Sequence, residues 1–153
     1  MSGSWDRLTP EGERFFAEIK KLTELQVFVG FQAGEVTDDR GVDMAQIAMF
    51  NELGTATSPS RPFLRMSVDE NEDKIRAMGG KNLRDVTSGG TAEAVLKQTG
   101  AFGVSLVQEK IGSGSFEPNA PSTVRKKGSD HPLIDTGRMR QSVKYVIKKK
   151  GES

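Results

Sequence analysis

No cysteine occurs in the 153 residues. That excludes disulfides, thiolate zinc sites and a cysteine nucleophile, and it suits a chain assembled inside a cell. Histidine is nearly absent too, with His131 the single one. A histidine metal cluster within one chain is therefore excluded. A Ser-His-Asp triad would have to use His131, which sits beside Pro132 in a polar loop, poor ground for a positioned base. The formal net charge is +1, so no global field favours nucleic acid. No apolar run approaches the roughly 20 residues of a membrane-spanning helix. The N-terminus lacks the basic start and apolar block of a secretory signal. Apolar residues make up only 35% of the chain against 28% charged, with 17 glycines. The expectation is one domain over 1–153 with a modest core, long exposed loops or arms, and flexible ends at 1–8 and 149–153.

The densest local signals lie late, from Pro132 through Leu133, Ile134, Asp135, Thr136 and Gly137 to Ser142. Pro132 forbids helix entry, and Asp135 and Thr136 are good caps for a short helical turn over 137–142. The pattern then alternates, with Val143, Tyr145 and Ile147 on one face and Lys144 and Lys148 on the other, as in a half-buried strand. Asp-Thr-Gly after two apolar residues is also the signature of aspartic proteases, whose chemistry needs two carboxylates sharing a proton. Here Arg138 follows the glycine, where those enzymes place a small residue, and too little chain remains for their β-barrel. The capping reading is preferred.

Upstream, Thr9-Pro10-Glu11 opens a helix over 10–23. Phe15, Phe16, Ile19 and Leu22 form its apolar stripe, opposite Glu13, Arg14, Glu18, Lys20 and Lys21. Leu25 to Phe31 alternates as a strand rich in Val and Phe. Residues 32–42 read as a loop or hairpin tip, with a weakly marked third strand. Asp43 caps a helix with Gln46 as capping-box partner, and Gly54 ends it. Pro62 opens a further helix to about Met78, striped by Leu64, Val68, Ile75 and Met78, which Gly79-Gly80 ends or breaks. Thr91 caps the longest helix, 92–111, in which Gly100 and Gly103 permit close packing or a bend. Residues 112–132, rich in Gly, Ser, Pro and charge, read as an arm that orders on contact or an irregular loop. The sum is α+β: a small, mainly antiparallel sheet pairing 25–31 with 143–149, covered by three to four helices. So small a sheet has edges that a second subunit can hide.

Three pieces of this chain occur in a telling order. Asn51-Glu52-Leu53-Gly54-Thr55 precedes Arg61-Pro62-Phe63-Leu64-Arg65; Ala120 to Gly128 follows far downstream; Pro132 to Ser142 closes the set. This order resembles the neck and tail-completion proteins of tailed bacteriophages, the virion-morphogenesis, minor-tail and tail-terminator-like proteins, over about Leu25 to Ile147. Leu53 stands where that family usually has Phe, and Ser58-Pro59-Ser60 replaces its commoner Ile-Pro-x. The resemblance implies a non-enzymatic structural protein with no cofactor, metal or membrane. It implies a homo-oligomeric ring, expected to be a hexamer, in the neck or at the head-proximal end of the tail. The ring would complete the tail and join it to the head, within virions assembled in the host cytoplasm. Its implied neighbours are other neck, connector or tail-tube proteins.

In that light Phe63 and Leu64 plug the core at a corner. Arg61, Arg65 and Arg138, the acids Asp69, Glu72 and Asp73, and the basic run Arg125, Lys126 and Lys127 are candidates for subunit interfaces. The acids of one copy would meet the basic run of the next, because a ring contact joins two different faces. Lys144, Lys148, Lys149 and Lys150 are candidates for lining a lumen and touching passing DNA without specificity. The alternative is a small nucleic-acid-binding module using the same basic C-terminal strand, although only Tyr145 supplies an interleaved aromatic. An enzyme is the least supported reading, for lack of a convergent nucleophile, base and orienting group. Asp38, Asp39 and Asp43 could hold magnesium, but three acids in a polar loop are ordinarily just solvated.

Overall fold

The structure, a computed structural model, describes residues 8–113 and 137–151. Along the chain run α1 (Pro10–Glu24), β1 (Leu25–Gly30), α2 (Met44–Leu53), α3 (Phe63–Asp69), α4 (Glu72–Thr87), α5 (Ala92–Ser113), α6 (Gly137–Gln141) and β2 (Lys144–Lys149). The class is α+β, as the hydrophobic periods require. Four helices of ten residues or more pack with one two-stranded antiparallel sheet. Beyond Ser113 the arm read over 112–132 lies outside the described residues, as do the caps Asp135 and Thr136. Gly112 and Ser113 themselves finish α5.

The local start and stop signals act as their chemistry demands. The Thr9 hydroxyl accepts from Gly12 N–H at 3.1 Å, with Pro10 in the first turn. One oxygen of Asp43 accepts from Ala45 N–H at 3.0 Å, and Gly54 leaves α2 with φ +78°. Gln46 completes no capping box: it is exposed, and Gly34 N–H takes the second Asp43 oxygen at 2.9 Å. Thr91 accepts from Ala94 N–H at the start of α5.

β1 and β2 pair in the register Leu25↔Lys149, Val27↔Ile147, Val29↔Tyr145. Lys149 therefore belongs to the sheet rather than to a loose end, and Lys150 N–H donates to the Glu24 carbonyl at 2.9 Å. One sheet face lies on α5 across the two glycines. A Cβ on Gly100 would sit 2.4 Å from the Tyr145 ring, and one on Gly103 would sit 2.8 Å from a Val29 methyl. The glycines thus let the sheet approach the helix backbone. The core gathers Met44, Ala48, Phe63, Val107, Ile111, Met139 and Val143. Phe63 is fully buried, with the Phe31 ring edge-on to it at 5.8 Å.

Further expectations are corrected. Residues 32–42 form no strand but a turn closed by an isolated Thr37↔Asp43 bridge. The Asp38 carboxylate folds this segment on itself by accepting from the N–H groups of Arg40 and Val42. The helix read over 63–78 is broken at Glu70–Asn71 instead of at Gly79-Gly80, which lie inside α4. At the break Asn71 N–H bonds only three residues back to Val68 O, and its side chain turns to Ser67 O. The Glu70 carboxylate meanwhile binds Lys110 Nζ of α5 at 2.9 and 3.0 Å.

The buried stripe also differs from the one expected. Phe63, Ser67 and Val86 are buried, whereas Val68 and Ile75 are exposed. On α1, Phe16 faces outward and Glu18 is buried. That side of α1 serves the connection between α4 and α5: Arg14 donates to the Val86 and Gly90 carbonyls, and Glu18 meets Ala92 N–H at 3.5 Å.

Candidate assembly surfaces

The Asn51–Arg65 block folds as one corner, and its residues explain each other. Gly54 turns with positive φ, and a Cβ there would lie 2.8 Å from Ser60 N. Ser60 Oγ donates to the Glu52 carbonyl at 2.7 Å, and Arg61 N–H donates to the Asn51 carbonyl at 2.6 Å. Pro62 precedes α3 and offers no side-chain cap. The Glu52 carboxylate supplies it from the previous helix, accepting from Leu64 N–H at 2.9 Å and Arg65 N–H at 3.0 Å. An acid at a helix N-terminus satisfies orphan donors and suits the helix dipole. Phe63 and Leu64 then enter the core as expected, Phe63 completely and Leu64 in part.

The candidate charges separate into two groups. Arg61 is buried at 9% exposure, inside the corner, and so is withdrawn as a residue reaching for a neighbour's acid. Arg138 is engaged within its own chain, donating to Asp39 at 2.8 Å and to the Thr37 carbonyl at 3.1 Å. Lys144 pairs with Glu35. Arg65, Asp69, Glu72, Asp73, Lys149 and Lys150 are exposed, and Lys148 is half-buried. Among the described residues Asp73 meets Arg76, itself exposed, at 3.5 Å, a contact of little worth. Arg125, Lys126 and Lys127 lie outside the described residues.

The three loop acids turn to different partners. Asp38 takes Arg40 and Val42, Asp39 takes Arg138, and Asp43 caps α2. Among the described residues no group of three metal-ligating side chains converges. The Val42 N–H bond, aided by the Arg40 side chain and N–H, holds the Asp38 carboxyl below its ordinary value despite an opposing effect of burial. Among the same residues, no helix is long and apolar enough to cross a membrane.

Two apolar surfaces escaped the sequence reading. On the sheet face turned away from α5, the pairs Gln26↔Lys148, Phe28↔Val146 and Gly30↔Lys144 lie side by side. Phe28 is 45% exposed and Val146 38%. They border a groove of about 440 Å³ that Phe31, Gln32 and Ala33 extend. On α2, Met49, Phe50 and Leu53 face outward. The signal was present in both places. β1 is apolar at Phe28 as well as at its inward positions, and a strand apolar on both faces reads as covered on both. Ten residues of α2 carry one charge, Glu52, and a helix apolar all round reads as buried all round.

No family model, curated protein or solved structure matches the chain.

Proposed function

We propose that this protein is a non-enzymatic structural subunit of a tailed-phage virion. It forms a ring in the neck or at the head-proximal end of the tail that completes the tail and joins it to the head. The observation that carries the reading is two apolar faces that no other described residue covers, Phe28 with Val146 on the sheet and Met49, Phe50 and Leu53 on α2. Exposed apolar faces on a small domain mark interaction surfaces, and a sheet layered on one side only is half of a packing arrangement. The ordered motifs support the phage assignment through the resemblance, and the Asn51–Arg65 block forms a coherent corner.

The test is the mass of the particle. Light scattering of the pure protein, together with imaging of virions and isolated tails, is expected to find a closed ring at a tail end or neck. A protein that stays monomeric, is absent from particles and binds DNA in a salt-dependent manner refutes the ring. That result would assign the exposed Lys149 and Lys150, with Lys148, to a nucleic-acid module.

A further inference from the structure

We infer that the outer face of the sheet is a docking groove for the α3–α4 corner of a second copy of this chain; the inference rests on the ring reading and names its contact. The groove's chemistry describes its occupant. At its centre Phe28 and Val146 form a half-exposed aromatic–aliphatic pair. Beside them Gly30 leaves a gap, since a Cβ built there meets nothing within 4 Å. Around them stand Lys148 and Lys144, the latter already paired with Glu35 of its own chain. The six residues of this face, Gln26, Phe28, Gly30, Lys144, Val146 and Lys148, include no acid, so Lys148 is the rim charge a partner would meet. The occupant must therefore be apolar in the middle and acidic at its margin.

The α3–α4 corner has that composition. Val68 is 53% exposed and Ile75 38%, on either side of the helix break. Between them in sequence Asp69, Glu72 and Asp73 are exposed together with one base, Lys74. Asp73 meets Arg76 at 3.5 Å and Glu70 is engaged with Lys110, so Asp69 and Glu72 are the acids offered to the groove. A second apolar face exposed among the described residues, on α2, does not fit the margin. Its single acid, Glu52, caps α3, so Met49, Phe50 and Leu53 bring no charge to the lysines. Duplex DNA satisfies the lysines but offers its phosphates, and nothing apolar, to Phe28 and Val146. In a contact of this kind the apolar centre supplies stability, and the rim charges supply register and rate of encounter. Groove and corner lie on different elements, so a contact that the same two copies do not reciprocate is heterologous and repeats from copy to copy until it closes, as the ring reading requires.

The absence of cysteine makes the test clean. Two chains, Val146→Cys and Val68→Cys, are each purified, mixed and treated with a short bismaleimide. The expected product is a linked dimer in the mixture only. A dimer of Val146→Cys with itself instead means that sheet face meets sheet face, and overturns the proposal. In parallel, Gly30→Trp fills the groove from an open position, and Lys148→Glu reverses its rim. Each is expected to lose the ring mass while keeping the wild-type circular dichroism. Glu72→Lys is expected to lose it too, and to recover it when combined with Lys148→Glu in one chain.

If the wild type assembles while these variants assemble equally well and no mixed link forms, the docking is wrong and the ring reading stands. If the wild type is monomeric at every concentration and absent from particles, both fall. If Lys148→Glu abolishes salt-dependent binding of duplex DNA and no link forms, the groove belongs to DNA.

Discussion

Replacing a helical glycine by alanine should have opposite effects at two sites in this chain. In an exposed helix interior the change stabilises by about 1 kcal/mol, because the glycine backbone has more freedom to lose on folding. Gly79 is such a site: it lies inside α4, is exposed, and a Cβ there meets nothing within 4 Å. Gly100 lies inside α5 but is buried, and its Cβ would stand 2.4 Å from both Cγ and Cδ2 of Tyr145. Ordinary carbon contacts are about 3.5–4.0 Å, so the ring must retreat by more than about 1 Å. Cγ is the root of the ring and cannot swing away, so the strain passes to β2. Overpacking of this kind costs about 1–3 kcal/mol, which offsets the backbone gain and leaves a net loss of up to about 2 kcal/mol.

For a chain of this size 1 kcal/mol moves Tm by about 2–4 °C. Gly79→Ala is expected to raise Tm by that amount, and Gly100→Ala to lower it by as much as twice that. Calorimetry on the two variants gives the signs. The cause is tested by placing Gly100→Ala in a Tyr145→Ala background, where the loss should turn into a gain of about 1 kcal/mol, a coupling of the size expected for residues in contact. Equal destabilisation with and without Tyr145, or a Gly100→Ala protein more stable than wild type, would refute the close approach of sheet to helix.

The corner and the loop give three further predictions. Glu52→Ala removes both side-chain bonds at the start of α3 and is expected to cost about 1–2 kcal/mol in urea unfolding, with faster amide exchange at Leu64 and Arg65; unchanged exchange there would mean that the cap is idle. Gly54→Ala forces a side chain into φ +78° and against Ser60 N. It should cost more than about 1 kcal/mol, read as a lower urea midpoint at constant m-value. Asp38 should titrate below 3.8 in a carboxyl NMR experiment. Its folded value is the lower one, so its contribution is complete above the unfolded value and is lost as pH falls through the folded one. Asp38→Asn should remove that part of the acid sensitivity, and a midpoint above 3.8 would contradict the bonds drawn to it.

The elements that were legible in the sequence are those decided by neighbours a few residues away. Thr9, Asp43 and Thr91 announce helices because a short oxygen-bearing side chain can reach the first free N–H groups. Gly54 announces an end because it turns where other residues strain. The pairing of 25–31 with 143–149 was legible because both segments alternate and no other described segment does. What was not legible depends on distant partners. The break at Glu70–Asn71 involves Lys110, forty positions on, and no local pattern contains that residue. Glu18 and Arg14 look solvent-facing in a helical wheel, yet they serve the α4–α5 connection more than seventy positions away. A charged side chain at a stripe's edge is read as exposed until the backbone groups it satisfies are known.

Hydrophobic period carries a different kind of information at β1 and α2. Both segments place large apolar residues on two faces, and within one chain that pattern means burial on two faces. Among the described residues each is covered on one face, with Phe28 on β1 and Met49, Phe50 and Leu53 on α2 left outside. A period records that a face is to be covered, because solvent contact with such a face is costly. It carries no record of whether the cover is a later segment of the same chain or another molecule. The charges beside the face do carry such a record. The sheet face contains no acid. Lys144 at its border already has Glu35, so its cover must bring a carboxylate to Lys148, and the exposed α2 face, whose one acid already caps α3, cannot supply it.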